Sequence, residues 1–430
     1  MDRKTLIRLA APAVALALTV TACGSSSTKA TAPITSSTTP ALESSSSTAP
    51  ATTVLASETG AASLRAGLTA LLTEHVQLAA LATGAALHGD TKTFNAYATA
   101  LNGPTKSNTS DIVDAISSAY GADVGKAFDG LWRSQKHIPA FVAYTQAAAK
   151  GDTAGKAAAV ADLTAYAKSF GDTLHSVNEN LPAQAVTDGL VMHAKTLIAV
   201  IDAQKAGDAK AEFTALHAAT AHMADFAKTL AVATAAKFPA KFDGDAASAA
   251  SELRSGLTAL LTEHVWLAAN ATGAALSGRQ SEFDAAAGAL NGPTGTNTAS
   301  LVAAIGSVYG SDIQTAFDGL WRSQKHIPAF VAYTQAVAKG DAGAQKAAID
   351  DLVAYATTFG DTLHSVNDNL PAKAVTDNVV MHATTLKAVI DAQKAGSPDV
   401  ANLLRAAVGH MLSTASVLAD ATVKKFPAKF

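Results

Sequence analysis

Histidine and methionine are the residues of this chain whose types and spacing suit chemistry. It has twelve histidines and five methionines in 430 residues. Imidazole is the commonest protein ligand of transition metals, and a thioether is a soft donor. Apart from Met1, every methionine is bonded in sequence to a histidine: Met192-His193, His222-Met223, Met381-His382 and His410-Met411. Such pairs suit a soft ion such as Cu(I), or a haem iron held by His and Met. Neighbours on a helix point about 100° apart, so one pair does not easily grip one ion, and core packing also accounts for Met223 and Met411.

The chain repeats itself at an offset of 189 residues, and the repeat ranks the histidines. GLTALLTEHV recurs from Gly67 at Gly256, and Ala127–Ala147 recurs unchanged from Ala316 to Ala336. Both copies end in KFPAKF, at Phe242 and Phe430, after one residue is lost near Gly396. His75 pairs with His264, His137 with His326, His175 with His364, His193 with His382, and His222 with His410. His88 stands opposite Ser277 and His217 opposite no histidine, so both read as surface residues. His75 and His193 fall on apolar seams near the middle of long helical segments, as does Met223 beside His222. His75, His137, His193 and His222 are therefore expected to form one polar layer inside a bundle, with His264, His326, His382, His410 and Met411 as its copy, where bundle proteins build metal sites. The competing expectation is that the histidines only complete the core through hydrogen bonds.

The elements that must carry these residues read as helices throughout. Leu64, Leu68, Leu71, His75, Leu78, Ala82 and Ala85 step by four and three along one seam. Gly89-Asp90, Asn102-Gly103-Pro104, Gly151-Asp152, Asn178–Pro182 and Gly207-Asp208 punctuate the copy. Ser110 is expected to cap a helix ending near Tyr120, and Pro139 to kink a helix over about 123–150, freeing the Gln135 carbonyl beside His137. Two final helices cover about 183–206 and 208–237. No alternating β-branched run occurs. The fold class is all-α: two tandem antiparallel bundles of four long helices plus shorter ones, repeat 1 over 57–242 and repeat 2 over 249–430, read as two beads joined by a linker at 243–248.

The N-terminus points to an address. Arg3, Lys4 and Arg8 precede an apolar run from Leu9 to Val20 that is too short to span a bilayer. It ends in Val20-Thr21-Ala22-Cys23, which resembles the lipobox of bacterial lipoproteins. That resemblance implies a signal peptide over 1–22 and lipidation of Cys23, with palmitate-type acyl chains anchoring the protein to the outer face of the cell membrane. Cys23 is the single cysteine, so no intramolecular disulfide forms. Residues 23–56 are rich in Ser, Thr, Ala and Pro and read as a disordered tether. The net charge is −3, and −5 without residues 1–22, with no basic stripe, which argues against a nucleic-acid partner.

Other chemistries lack their signatures. Ferritin-like di-iron sites need Glu-x-x-His pairs, and none occurs; neither does His-Glu-x-x-His, a Walker loop or a Gly-x-Ser-x-Gly elbow. Glu74 and Glu263, beside His75 and His264, read as solvated. Trp132, Arg133, Lys136, Phe141 and Tyr144 read as a pocket wall or as core anchors. The pattern LLTEHV, LNGPT with a following NT, YG, LW, FVAYT, NLP, IDAQ, HM and FPAKF resembles a helical domain of secreted Gram-positive proteins, some of them labelled copper amine oxidase. Oxidase chemistry would require a tyrosine-derived quinone in an Asn-Tyr-Asp/Glu context, which none of the seven tyrosines has. The expectation is a lipid-anchored binding protein holding a transition metal, copper first, or another small ligand. A structural or protein-interacting envelope lipoprotein is the alternative, and an enzyme ranks third.

Overall fold

The computed structural model describes residues 54–134, 137–323 and 326–430. The expected signal peptide, Cys23 and the tether up to residue 53 lie outside the described residues, as do Gln135, Lys136 and their counterparts. The described residues hold sixteen α-helices, a closing 3-10 turn and no strand, so the fold is all-α. In repeat 1 the helices are α1 Gly60–Leu87, α2 Thr91–Asn102, α3 Asn108–Tyr120, α4 Ala122–Ser134, α5 His137–Lys150, α6 Thr153–Val177, α7 Ala183–Ala206 and α8 Ala209–Lys237. Repeat 2 follows as α9 Ala249–Leu276, α10 Gln280–Asn291, α11 Asn297–Tyr309, α12 Ser311–Ser323, α13 His326–Lys339, α14 Ala342–Val366, α15 Ala372–Ala395 and α16 Val400–Lys425.

Local chemistry sets these limits. Asp90, Asp152 and Asp208 each accept a backbone N–H three residues on, and so start α2, α6 and α8. Before Asp208, Gly207 takes a φ of 68° that closes α7, a left-handed conformation in which a β-carbon is strained. One expectation is corrected. The cap of α3 is Ser107, not Ser110: the Ser107 hydroxyl accepts the Ser110 N–H while Ser110 bonds back, a reciprocal capping box. The expected kink at Pro139 turns on Gln135 and Lys136, between α4 and α5, and so lies outside the described residues.

Within repeat 1 the long helices run α1, α8, α7, α6 from neighbour to neighbour, and α5 lies against α6. Gly171 lets α6 approach α7, since a β-carbon there would meet Thr187 Oγ1 at 2.4 Å. Repeat 2 has the same arrangement of α9, α16, α15 and α14.

The repeats pack along α1 and α9, which explains why α1 is buried on nearly every side around its middle. Their contact obeys a pseudo-two-fold exchange of equivalent residues. Arg65 donates to the Ala246 carbonyl at 3.0 Å and to Glu252 at 2.6 Å. Its counterpart Arg254 donates to the Ser57 carbonyl at 2.7 Å and to Ser63 at 3.0 Å, the positions equivalent to Ala246 and Glu252. Such reciprocity is the signature of an isologous dimer, here fused into one chain.

Candidate metal centre

Three buried imidazoles meet in each repeat. His75 comes from the middle of α1, His137 from the first turn of α5 and His193 from the middle of α7. Their ligand nitrogens all lie within 4.8 Å of one another, and so do those of His264, His326 and His382. Nitrogens sharing one ion at about 2.0–2.1 Å are at most about 4.2 Å apart. Small ring movements would bring the three nitrogens to that spacing.

The rings sit in an aromatic cage. His75 and His137 stack with centroids 5.4 Å apart, and Trp132 sets its edge to both, at 5.2 and 4.7 Å. Tyr166 lies parallel to His137 at 5.1 Å, as Tyr355 does to His326. Phe141 closes the side between His137 and His193. Trp132 and Phe141 thus form a wall around the histidines, whereas Tyr144 points its hydroxyl to Asp202 at 2.9 Å.

Burial fixes the protonation state. Removing the imidazoles from water holds His75 and His264 down at about 4 and His382 at about 3, while His137, His193 and His326 are pushed well below the usual histidine range. Mutual repulsion adds to burial for His137, His193, His326 and His382. All six are neutral at physiological pH, the form that binds metal.

The tautomer of His75 follows from its neighbour. Asn108 Nδ2 donates to the Leu71 carbonyl and to Glu74 Oε2, each at 2.8 Å, so its Oδ1 faces His75 Nδ1 as an acceptor at 3.3 Å. Nδ1 therefore carries the proton, leaving the Nε2 lone pair for a ligand, the outer-shell pattern of metal-binding histidines. Asn297 repeats both donations, to Leu260 and Glu263. Both nitrogens of His137, His193 and His382 lack a protein partner, as does Nδ1 of His264 and His326. Each orphan of this kind costs roughly 1–3 kcal/mol, and a bound ion would offset the cost at one nitrogen of each ring, the one that carries the lone pair.

Comparison of the chain with protein-family models, curated proteins and solved structures finds no match.

Not every expected residue joins it. The Nε2–H of His222 donates to the Gly189 carbonyl at 2.8 Å, and that of His410 to the Asn378 carbonyl at 3.0 Å, so the expected four-histidine layer is a triad with a half-buried histidine beside it. Met223 is buried and lines the same cavity as the first triad, and Met411 is buried in the core. Met192 and Met381, bonded in sequence to His193 and His382, are exposed. His175 and His364 bond the carbonyls of Leu181 and Leu370 and serve the turn.

Two readings are overturned. Glu74 and Glu263 are buried, not solvated, at 7% and 3% exposure. His217 is more than a surface residue: its Nδ1 meets Glu263 of the other repeat at 2.8 Å. Past the lost residue its equivalent is Arg405, which binds Glu74 at 2.9 Å. Asn108, Tyr166 and Arg405 escaped the sequence reading. A polar Asn beginning a helix in both copies was the one available signal for the first; the other two depend on contacts between distant elements.

Proposed function

We propose that the chain binds two transition-metal ions, one in each histidine triad. The observation that carries this reading is the convergence of three buried, neutral imidazoles from three helices, with both nitrogens of His137 and His193 in the first triad and of His382 in the second lacking a protein partner. Copper, as Cu(I), suits the site best. Every ligand is uncharged and the surroundings are aromatic, and the cost of burying an ion rises with the square of its charge, so a monovalent ion is favoured over a divalent one. Met223 beside the first triad offers a soft fourth donor. The ion would bring Lewis acidity or one-electron chemistry; the protein's part is to hold the rings, fix the His75 tautomer through Asn108 and exclude water.

The lipobox-like Val20–Cys23 supports an extracytoplasmic address, with lipidated Cys23 holding the protein to the membrane's outer face. The chain would then meet metal outside the cytoplasm. Anaerobic loading of the full chain with Cu(I), followed by metal analysis, tests the reading: two ions per chain are expected. No bound ion, or binding that survives substitution of the triads, would support the alternative of a structural or protein-interacting envelope protein.

A further inference from the structure

The first repeat encloses a cavity of about 270 Å³ whose wall is almost wholly apolar, formed by residues such as Leu72, Ile116, Phe128, Phe170, Leu190 and Phe226. One end is polar. His75, His137 and His193 line it, and His137 and His193 bring four nitrogens with no protein partner. The exposed residues Asp123 and Thr173 lie at its rim. The equivalent cavity of the second repeat measures about 80 Å³, and its lining includes Trp321 but none of the three histidines. The copies differ where it matters. Ile313 lines the smaller cavity where Val124 lines the larger one, and Val308 adds a wall residue at the position of Ala119, which does not line the first cavity.

We infer that the first repeat binds one small amphiphile, an alkyl carboxylic acid of about eight carbons, with its carboxyl group against the imidazoles and its chain along the apolar wall, and that the second repeat does not. The size follows from volume: an apolar cavity of about 150 Å³ holds benzene, so this one holds about eleven non-hydrogen atoms in proportion. Octanoic acid has ten. The head follows from hydrogen bonding. A neutral imidazole offers one donor and one acceptor, and a carboxylic acid in its protonated form offers the complementary pair, so octanoate takes up one proton from solvent on binding, whereas a plain hydrocarbon would leave the nitrogens orphaned. The inference does not rest on the metal reading, because the unpartnered nitrogens and the cavity are there with or without an ion.

Calorimetric titration of the full chain, stripped of metal by a chelator, with straight-chain acids of six to twelve carbons tests it. One octanoate per chain is expected, with affinity falling about fourfold for each methylene removed and dropping again for chains too long for the cavity. Ala119→Val with Val124→Ile, which copies the second repeat into the first, is expected to weaken binding at least tenfold without altering the thermal midpoint. The reciprocal Val308→Ala with Ile313→Val is expected to create a second site. No octanoate bound, two bound to the unmodified chain, or indifference to chain length and to both double variants would overturn the inference. Metal analysis of the same proteins separates the two readings: octanoate lost with two ions retained bears on the cavity alone, and ions lost with octanoate retained bear on the triads alone.

Discussion

Arg405 of the second repeat grips Glu74 of the first, with Nε 2.9 Å from one carboxylate oxygen and a terminal nitrogen 3.2 Å from the other. Glu74 in turn accepts from Asn108, which faces His75. The first triad's outer shell is thus completed by the other repeat; in the second, His217 of the first repeat reaches Glu263 and through it Asn297, whose Oδ1 does not bond His264. The two candidate centres are not independent beads on a string. They share the interface between the repeats.

Removing the Arg405 side chain should leave the Glu74 carboxylate buried without its counter-charge. Arg405→Ala is expected to destabilise the fold by about 3 kcal/mol, the lower end for breaking a buried pair because Arg405 keeps some contact with water. Urea unfolding measures it, and a double-mutant cycle with Glu74→Gln should return most of the loss. Additive effects in that cycle would show the pair to be uncoupled.

The equivalent contact titrates. Its bond to Glu263 raises the His217 pKa, outweighing partial burial. A raised folded pKa contributes stability that is fully present below the unfolded value of about 6.5 and lost as pH rises through the folded value. His217→Arg should therefore stabilise the chain relative to wild type more at pH 9 than at pH 6. Equal differences in the urea midpoint at the two pH values would count against this assignment.

The six triad histidines act in the opposite sense. Their folded pKa values are depressed, so the unfolded chain takes up protons first, and stability present above about pH 6.5 falls as pH drops toward the folded values near 4 and 3. Each contributes a slope of up to about 1.4 kcal/mol per pH unit in that window. The metal-free protein is expected to lose thermal stability steeply between pH 6 and pH 4, and replacement of His137 and His193 by Phe and Leu should flatten the slope. Parallel curves for variant and wild type would contradict the burial of neutral imidazoles.

Stoichiometry separates the two centres. His193→Ala is expected to reduce bound Cu(I) from two ions to one, and His193→Ala with His382→Ala to none, while His222→Ala should leave the count unchanged because its ring serves the Gly189 carbonyl. A loss on substituting His222 equal to that for His193 would restore the four-histidine layer.

Ser107 gives a local test of the helix that delivers Asn108. Ser107→Ala should cost about 1 kcal/mol of stability. If the cap also positions the outer shell, metal affinity at the first triad should fall while the second, capped by Thr296, is untouched.

Periodicity and punctuation made the helices legible. Heptad-like steps from Leu64 to Ala85, the Gly-Asp pairs and the breaks at Asn102–Pro104 and Asn178–Pro182 act over a few residues, so the sequence alone determined the all-α class, most helix limits of each repeat and the choice of His75, His137 and His193, together with His222, among twelve candidates. Side-chain direction and partner choice are long-range, and those the tertiary structure decided. It turned His222 to a carbonyl within hydrogen-bond reach, left Met192 in solvent and buried Met223. It also drew Glu74 and Glu263 inside, because the packing of α1 against α9 removes both from water while α16 and α8 supply Arg405 and His217 as their counter-groups.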